Sequence, residues 1–294
     1  MKKMSLVFLA LTTFLFAKPV VTATILPTKY FIEQIAGDSL EVNVMVGKGA
    51  DPHTYEPRPA QMKELEKSQL YFSVGIEFDD VWLDRITKQQ PNLKVIKTDE
   101  GIKKIAMVAH HHDDEDEEHE CHDEEHHHHH HHHEGNDPHI WLDPILVKTQ
   151  ATTIKEALTS QFPQNKELYE KNYQNFIKEL DTLDSWIKES LKDVKNRAFI
   201  VYHPSWGYFA KRYNLVQIPI ELEGKEPKPK ELKELIEEAK EHDIKIIFVA
   251  PQFSKKAAIE IGKQSGAKVV EVDQLPLSWM DEMKKSVDIL KSNL

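Results

Sequence analysis

Short apolar, β-branched runs alternate with amphipathic stretches along most of this chain. PVVTATI (19–25) has the composition of a buried parallel strand. LEVNVMV (40–46), LYFSVG (70–75) and LKVIK (93–97) predict three more strands. Apolar residues at helical spacing predict helices over Pro27–Ala36, which Gly37 stops, over Pro59–Lys67, which opens on a proline, and over Asp79–Thr87. This βαβαβαβ order predicts a parallel sheet covered by helices.

The pattern breaks from about Ala109 to Gly135, where almost nothing is apolar. Such a stretch buries too little surface to offset its ordering entropy and is expected to be a mobile loop. From Pro144 to about Lys195 there is no glycine, and apolar residues from Leu158 to Leu191 recur at helical spacing. A helix broken near Gln161–Pro163 and then a long one to about Asp193 are expected. No strict heptad persists, which argues against a coiled coil.

Strands are then predicted at 198–203, 215–220, 244–250 and 267–273. Helices are predicted through Tyr213 and over Pro229–His242, Lys255–Gln264 and Ser278–Leu290. This second set is expected to have its own core. The fold class is therefore α/β, two parallel-sheet lobes joined by a long helix. The expected boundaries are 18–143 for the first lobe, 144–195 for the helical link and 196–294 for the second lobe.

The 294 residues suffice for such a pair of lobes. Residues 1–17, MKKMSLVFLALTTFLFA, carry two lysines, a short apolar run and a terminal alanine, the pattern of a secretory signal cleaved near Ala17. The apolar run is shorter than the ~20 residues a membrane span needs, and no cysteine follows it to take a lipid. Export to the periplasm is expected. The single Cys121 forms no internal disulfide, so the exported fold must rest on its core. The net charge of −11 equals the eleven Asp and Glu of residues 110–134, so the rest of the chain balances. No basic stripe exists to hold nucleic acid.

Thirteen of the 17 histidines lie in the same acidic tract. Of the other four, His242 sits in the last turn of a predicted helix, where a cation suits the helix dipole, and is assigned a structural role. His53 (GADPHTYEP), His139 (NDPHIWLDP) and His203 (VYHPSWGYF) each adjoin a proline at a strand end or in the loop beyond it. Ligands of open parallel sheets bind at the carboxyl ends of strands, so two facing lobes could gather all three. Three imidazoles favour zinc over magnesium or calcium. A lone histidine in such a loop is more often a hydrogen-bonded surface group, and the spacing is only moderately specific.

GADPHTYEPRP (49–59), NDPHIWLDP (136–144), YHPSWGYFAKRYNL (202–215) and KEPKPKEL (225–232) resemble segments of the ZnuA-like zinc-binding proteins of bacterial ABC importers, the cluster A-I metal-binding group. The resemblance spans nearly the whole mature chain. It implies two α/β lobes on a rigid backbone helix, with metal held in the cleft between them. It also implies His53, His139 and His203 as ligands of Zn²⁺, and VDQL (272–275) nominates Asp273 as the fourth, with water as the alternative. Some members place a glutamate beside the first histidine; here that neighbour is Pro52. Glu271 is a weaker candidate. Manganese members resemble this pattern with glutamate at the third position, so His203 points to zinc, although Cu²⁺ could compete at equilibrium.

The tract then reads as accessory. His110, His111, His112, His119, Cys121, His122, His126, His127 and His128 are candidates for weak, fast metal capture, against a plain solvated spacer. HDEEH (122–126) fits a metalloprotease pattern, but chance matches are expected in a segment this rich in His and Glu. The expected function is capture of Zn²⁺ and its delivery to the membrane permease of a zinc ABC transporter, by a monomer without enzymatic activity. The alternatives are a His₃ zinc hydrolase, and a zinc buffer or adhesin without transport.

Overall fold

The computed structural model describes residues 18–107, 135–222 and 224–294. The expected signal at 1–17 and the accessory tract ligands from His110 to His128 lie outside them. Among the described residues no helix is long and apolar enough to cross a membrane.

The first lobe is a four-stranded sheet of β1 (Val20–Ile25), β2 (Glu41–Val46), β3 (Ser68–Ser73) and β4 (Lys94–Lys97), in the order β2-β1-β3-β4. Every pairing is parallel. Helices α1 (Leu26–Ala36), α2 (Pro59–Leu65) and α3 (Glu77–Gln89) make the connections. The second lobe repeats the plan. β5 (Ala198–Val201), β6 (Val216–Pro219), β7 (Ile246–Val249) and β8 (Lys268–Glu271) form a parallel sheet in the order β6-β5-β7-β8. Its helices are α6 (Gly207–Arg212), α7 (Pro229–Glu241), α8 (Lys256–Ser265) and α9 (Trp279–Asn293).

Between the lobes run α4 (Pro144–Gln161) and α5 (Lys166–Leu191). Pro163 lies at the predicted break, where a short 3₁₀ turn over Pro163–Asn165 separates the helices. The 26 residues of α5 extend about 39 Å at 1.5 Å per residue. α4 doubles back against α5, and α5 packs on both α1 and α9, so one helix is shared by both lobes.

The second lobe does not have a core wholly its own. Strand residues alternate between sheet faces, and β5 shows the consequence. Phe199 and Val201 join the large core that also holds β1, β3, α1, α4 and α5. Ile200 and Tyr202 face a separate core under α7 and α8. The larger core therefore crosses from lobe to lobe, which ties their relative placement to burial of residues such as Trp141, Phe176 and Trp279.

The ends flanking residues 108–134 meet in an antiparallel bridge of Ala106 with Asn136. Met107 N–H donates to the Gly135 carbonyl, and Asp137 N–H to that of Ile105. The two ends thus meet beside Gly135, four residues before His139.

Candidate metal centre

Every candidate ligand loop leaves the carboxyl end of a strand or the link between the lobes. His53 follows β2 and His203 follows β5. His139 precedes α4, in a segment fastened at both ends. Asp137 Oδ1 accepts the His139 backbone N–H at 2.8 Å, and Asp143 Oδ1 caps α4 by accepting from Ile145 N–H at 2.8 Å. The same segment is bolted to the second lobe. Tyr208 OH donates to the Asp137 carbonyl, Trp141 Nε1–H to that of Gln274, and Trp279 Nε1–H to that of Trp141. Arg212 pairs with Asp143 at 2.5 Å.

These constraints bring His53, His139 and His203 together, with one potential ligand atom from each lying within 4.8 Å of the others. Each Nδ1 is held by a carboxylate. His139 pairs with Asp137 at 2.8 Å, His203 with Glu221 at 2.5 Å and His53 with Glu77 at 3.0 Å. That leaves the Nε2 atoms. Those of His139 and His203 stand 3.1 Å apart, and that of His53 is buried with no hydrogen-bond partner.

An imidazole whose Nδ1–H donates to a carboxylate has a bare lone pair at Nε2. Two such lone pairs 3.1 Å apart in a buried site repel unless a cation or proton lies between them. Two nitrogens on one tetrahedral Zn²⁺, at 2.0–2.1 Å each, stand about 3.3 Å apart. The spacing therefore fits zinc nearly as it stands. The three outer carboxylates orient the rings, raise their basicity and offset the charge of a divalent ion.

Electrostatics separates the three. Burial pushes the His203 imidazole below its ordinary value, outweighing the Glu221 carboxylate that favours the charged form. His53 is also penalised by burial, but Glu77, Asp51 and Glu221 together overcome this and raise its value. Glu77 is held down at about 2, chiefly by its hydrogen bond to His53. The His203 ring is covered on one side by Phe253, stacked at 5.2 Å.

Asp273 is not brought into this group. Its Oδ1 accepts from Leu275 N–H at 2.9 Å and from Gln252 Nε2 at 3.1 Å. The sheet order gives the reason. His203 follows β5 while Asp273 follows β8, two strands away, or about 9.5 Å at ordinary strand spacing. The β7–α8 loop, which carries Gln252 and Phe253, lies between. Glu271 is exposed and pairs with Lys255, so it stands apart from the histidines. His242 caps the end of α7, and its carbonyl accepts from Asn196.

The orienting carboxylates Asp137, Glu221 and Glu77 were not read from the sequence. Asp137, two residues before His139, was the one within reach. Glu221 becomes a neighbour only because β6 pairs with β5, and Glu77 only because β2 and β3 both flank β1.

Residues 21–293 match the family model described as ZnuA, zinc-uptake complex component A, periplasmic. The chain belongs to this family. The high-affinity zinc uptake system protein ZnuA of Bacillus subtilis is 31% identical over 288 residues, covering 93% of this chain and 87% of that one. The zinc-binding lipoprotein AdcA of Streptococcus pneumoniae is 28% identical, and this chain spans only 54% of its length. Among solved structures, a crystal structure of ZnuA superposes with a TM-score of 0.84 at 38% identity, covering 94% of this chain and 99% of that one. A ZnuA deletion mutant with zinc bound gives 0.83 at 38% identity, covering 94% and 98%.

Proposed function

We propose that this chain is the zinc-capturing subunit of an ABC uptake system. It takes Zn²⁺ between His53, His139 and His203 and delivers it to a membrane permease. The observation that carries the reading is the convergence of three imidazoles, each with Nδ1 on a carboxylate and Nε2 left for metal. Membership of a family described as a periplasmic zinc-uptake component supports the route. A nitrogen-rich set suits Zn²⁺ better than Mn²⁺.

Asp273 is the candidate for the fourth position in the loaded form, with water as the alternative. The chain works as a monomer in the periplasm after loss of residues 1–17, and the 110–134 tract is an accessory zinc collector. The test is zinc accumulation by cells lacking the gene, grown at low external zinc. The wild-type chain restores accumulation and His203→Ala does not. Equal restoration by both would overturn the proposal.

A further inference from the structure

Asp137 is 1% exposed, and its two oxygens have different fates. Oδ1 takes both the backbone N–H and the Nδ1 of His139, each at 2.8 Å. Oδ2 has no hydrogen-bond partner within the protein. It presses on the first residue of α6, where a Cβ on Gly207 would lie 2.5 Å from it. The other neighbours of that Cβ are farther, Gln217 Nε2 at 3.3 Å and Ile105 Cδ1 at 3.6 Å.

Gly207 does not have a positive φ, so its backbone would accept alanine, the better helix former. The main obstacle is the carboxylate; Gln217 Nε2, at 3.3 Å, is a tight but lesser contact. A carboxylate at the end of a free side chain would swing aside, but this one is fixed by two hydrogen bonds to a metal-site histidine. Gly207 also lies four residues after His203 on the same segment, and Tyr208 beside it donates to the Asp137 carbonyl at 2.7 Å. The contact therefore sets how closely the His203 segment approaches the His139 segment, and with it the 3.1 Å separation of their Nε2 atoms.

We propose that Gly207 is a positioning residue for metal capture: by lacking a Cβ it lets the buried Asp137 carboxylate seat against α6 and aim His139 at His203. This rests on the reading of the three histidines as the zinc ligands. Alanine at 207 displaces Asp137 and tilts the His139 ring, without touching any ligand itself.

The experiment is a double-mutant cycle of Gly207→Ala and Asp137→Ala in the mature chain, measured by zinc titration against a chelator. Thermal unfolding of the metal-free proteins and the d–d spectrum of the Co²⁺-loaded forms are recorded alongside. Gly207→Ala is expected to fold and to weaken zinc binding at least ~10-fold, the scale of disturbed outer-shell partners, with an altered Co²⁺ spectrum. In the Asp137→Ala background the same change should move zinc affinity less than about 2-fold, because the clashing oxygen is gone. Unchanged affinity in Gly207→Ala, an equal loss in both backgrounds, or failure to fold in both would overturn the proposal. His203→Ala separates the two readings. If it keeps the tight site, the ligand assignment fails. If it loses the site while Gly207→Ala does not, only the positioning role fails.

Discussion

The tripeptide Asp-Pro-His occurs twice, at 51–53 and 137–139, and makes the same side-chain-to-backbone hydrogen bond with different results. In both, the aspartate Oδ1 accepts the histidine backbone N–H, at 3.0 Å in the first and 2.8 Å in the second. Asp137 is buried and also holds its histidine's Nδ1. Asp51 is half-buried and spends its other oxygen on the Thr54 hydroxyl, so His53 turns to Glu77, whose side chain is 51% exposed. The residue after each histidine accounts for the split. Ile140 belongs to the shared core, while Thr54 faces solvent. One tripeptide thus yields a fixed imidazole where core surrounds it and a partly exposed imidazole where it does not. The pair His139–His203 is pre-assembled, and His53 is the arm on the open side that completes the site.

The widest separation between the two arms comes from removing ligands. His203→Ala takes away half of the pre-assembled pair. It should weaken zinc binding by about 1000-fold or more, given the 10–16 kcal/mol that a full zinc site supplies. Chelator competition measures this. A smaller effect follows from the aspartates themselves. Asp137→Ala should cost about 10–100-fold in zinc affinity. Asp51→Ala, which leaves the His53–Glu77 pair in place, should cost several-fold less. Equal losses in the two titrations would erase the distinction between the two segments.

The pH response sharpens the same contrast. The raised value of His53 makes its charged form favourable in the folded metal-free state. That stabilisation is complete below the ordinary histidine value of 6.5 and is lost as pH rises through the raised one. Glu77 acts the other way. Its lowered value contributes stability above the ordinary 4.5, lost as pH falls toward about 2. The pair therefore steadies the metal-free arm between about 4.5 and 6.5. Zinc needs His53 neutral, so zinc affinity should fall as pH drops through the raised value. Glu77→Gln removes the strongest of the carboxylates that favour protonated His53, and the midpoint of that fall should move to lower pH in zinc titrations from pH 5 to 8. An unmoved midpoint would detach Glu77 from His53. Smallest of all, His242→Ala should leave zinc affinity unchanged and lower stability by about 0.5 kcal/mol or less in denaturant unfolding.

Much of this was legible beforehand. Strand and helix positions follow from period-two and helical patterning, and Pro163 marked the break between α4 and α5. The three histidines stood out because each adjoins a proline near a strand end or at the link between the lobes. The rest depends on adjacency that no local pattern carries. Strand order decides that Glu221 meets His203 and that Asp273 stays two strands away. The division of β5 between two cores depends on which helices cover each face, so Phe199 and Ile200 read alike in sequence. Nothing local to YHPSWGYF marks Gly207; only the Asp137 carboxylate lying against it does.

The most direct test of the cleft assignment is a competitive zinc titration of the mature chain lacking residues 110–134, beside the full-length form. The account predicts that one tight site survives the deletion with its affinity unchanged, because His53, His139 and His203 remain. Loss of the tight site would contradict it and place the functional metal in the tract.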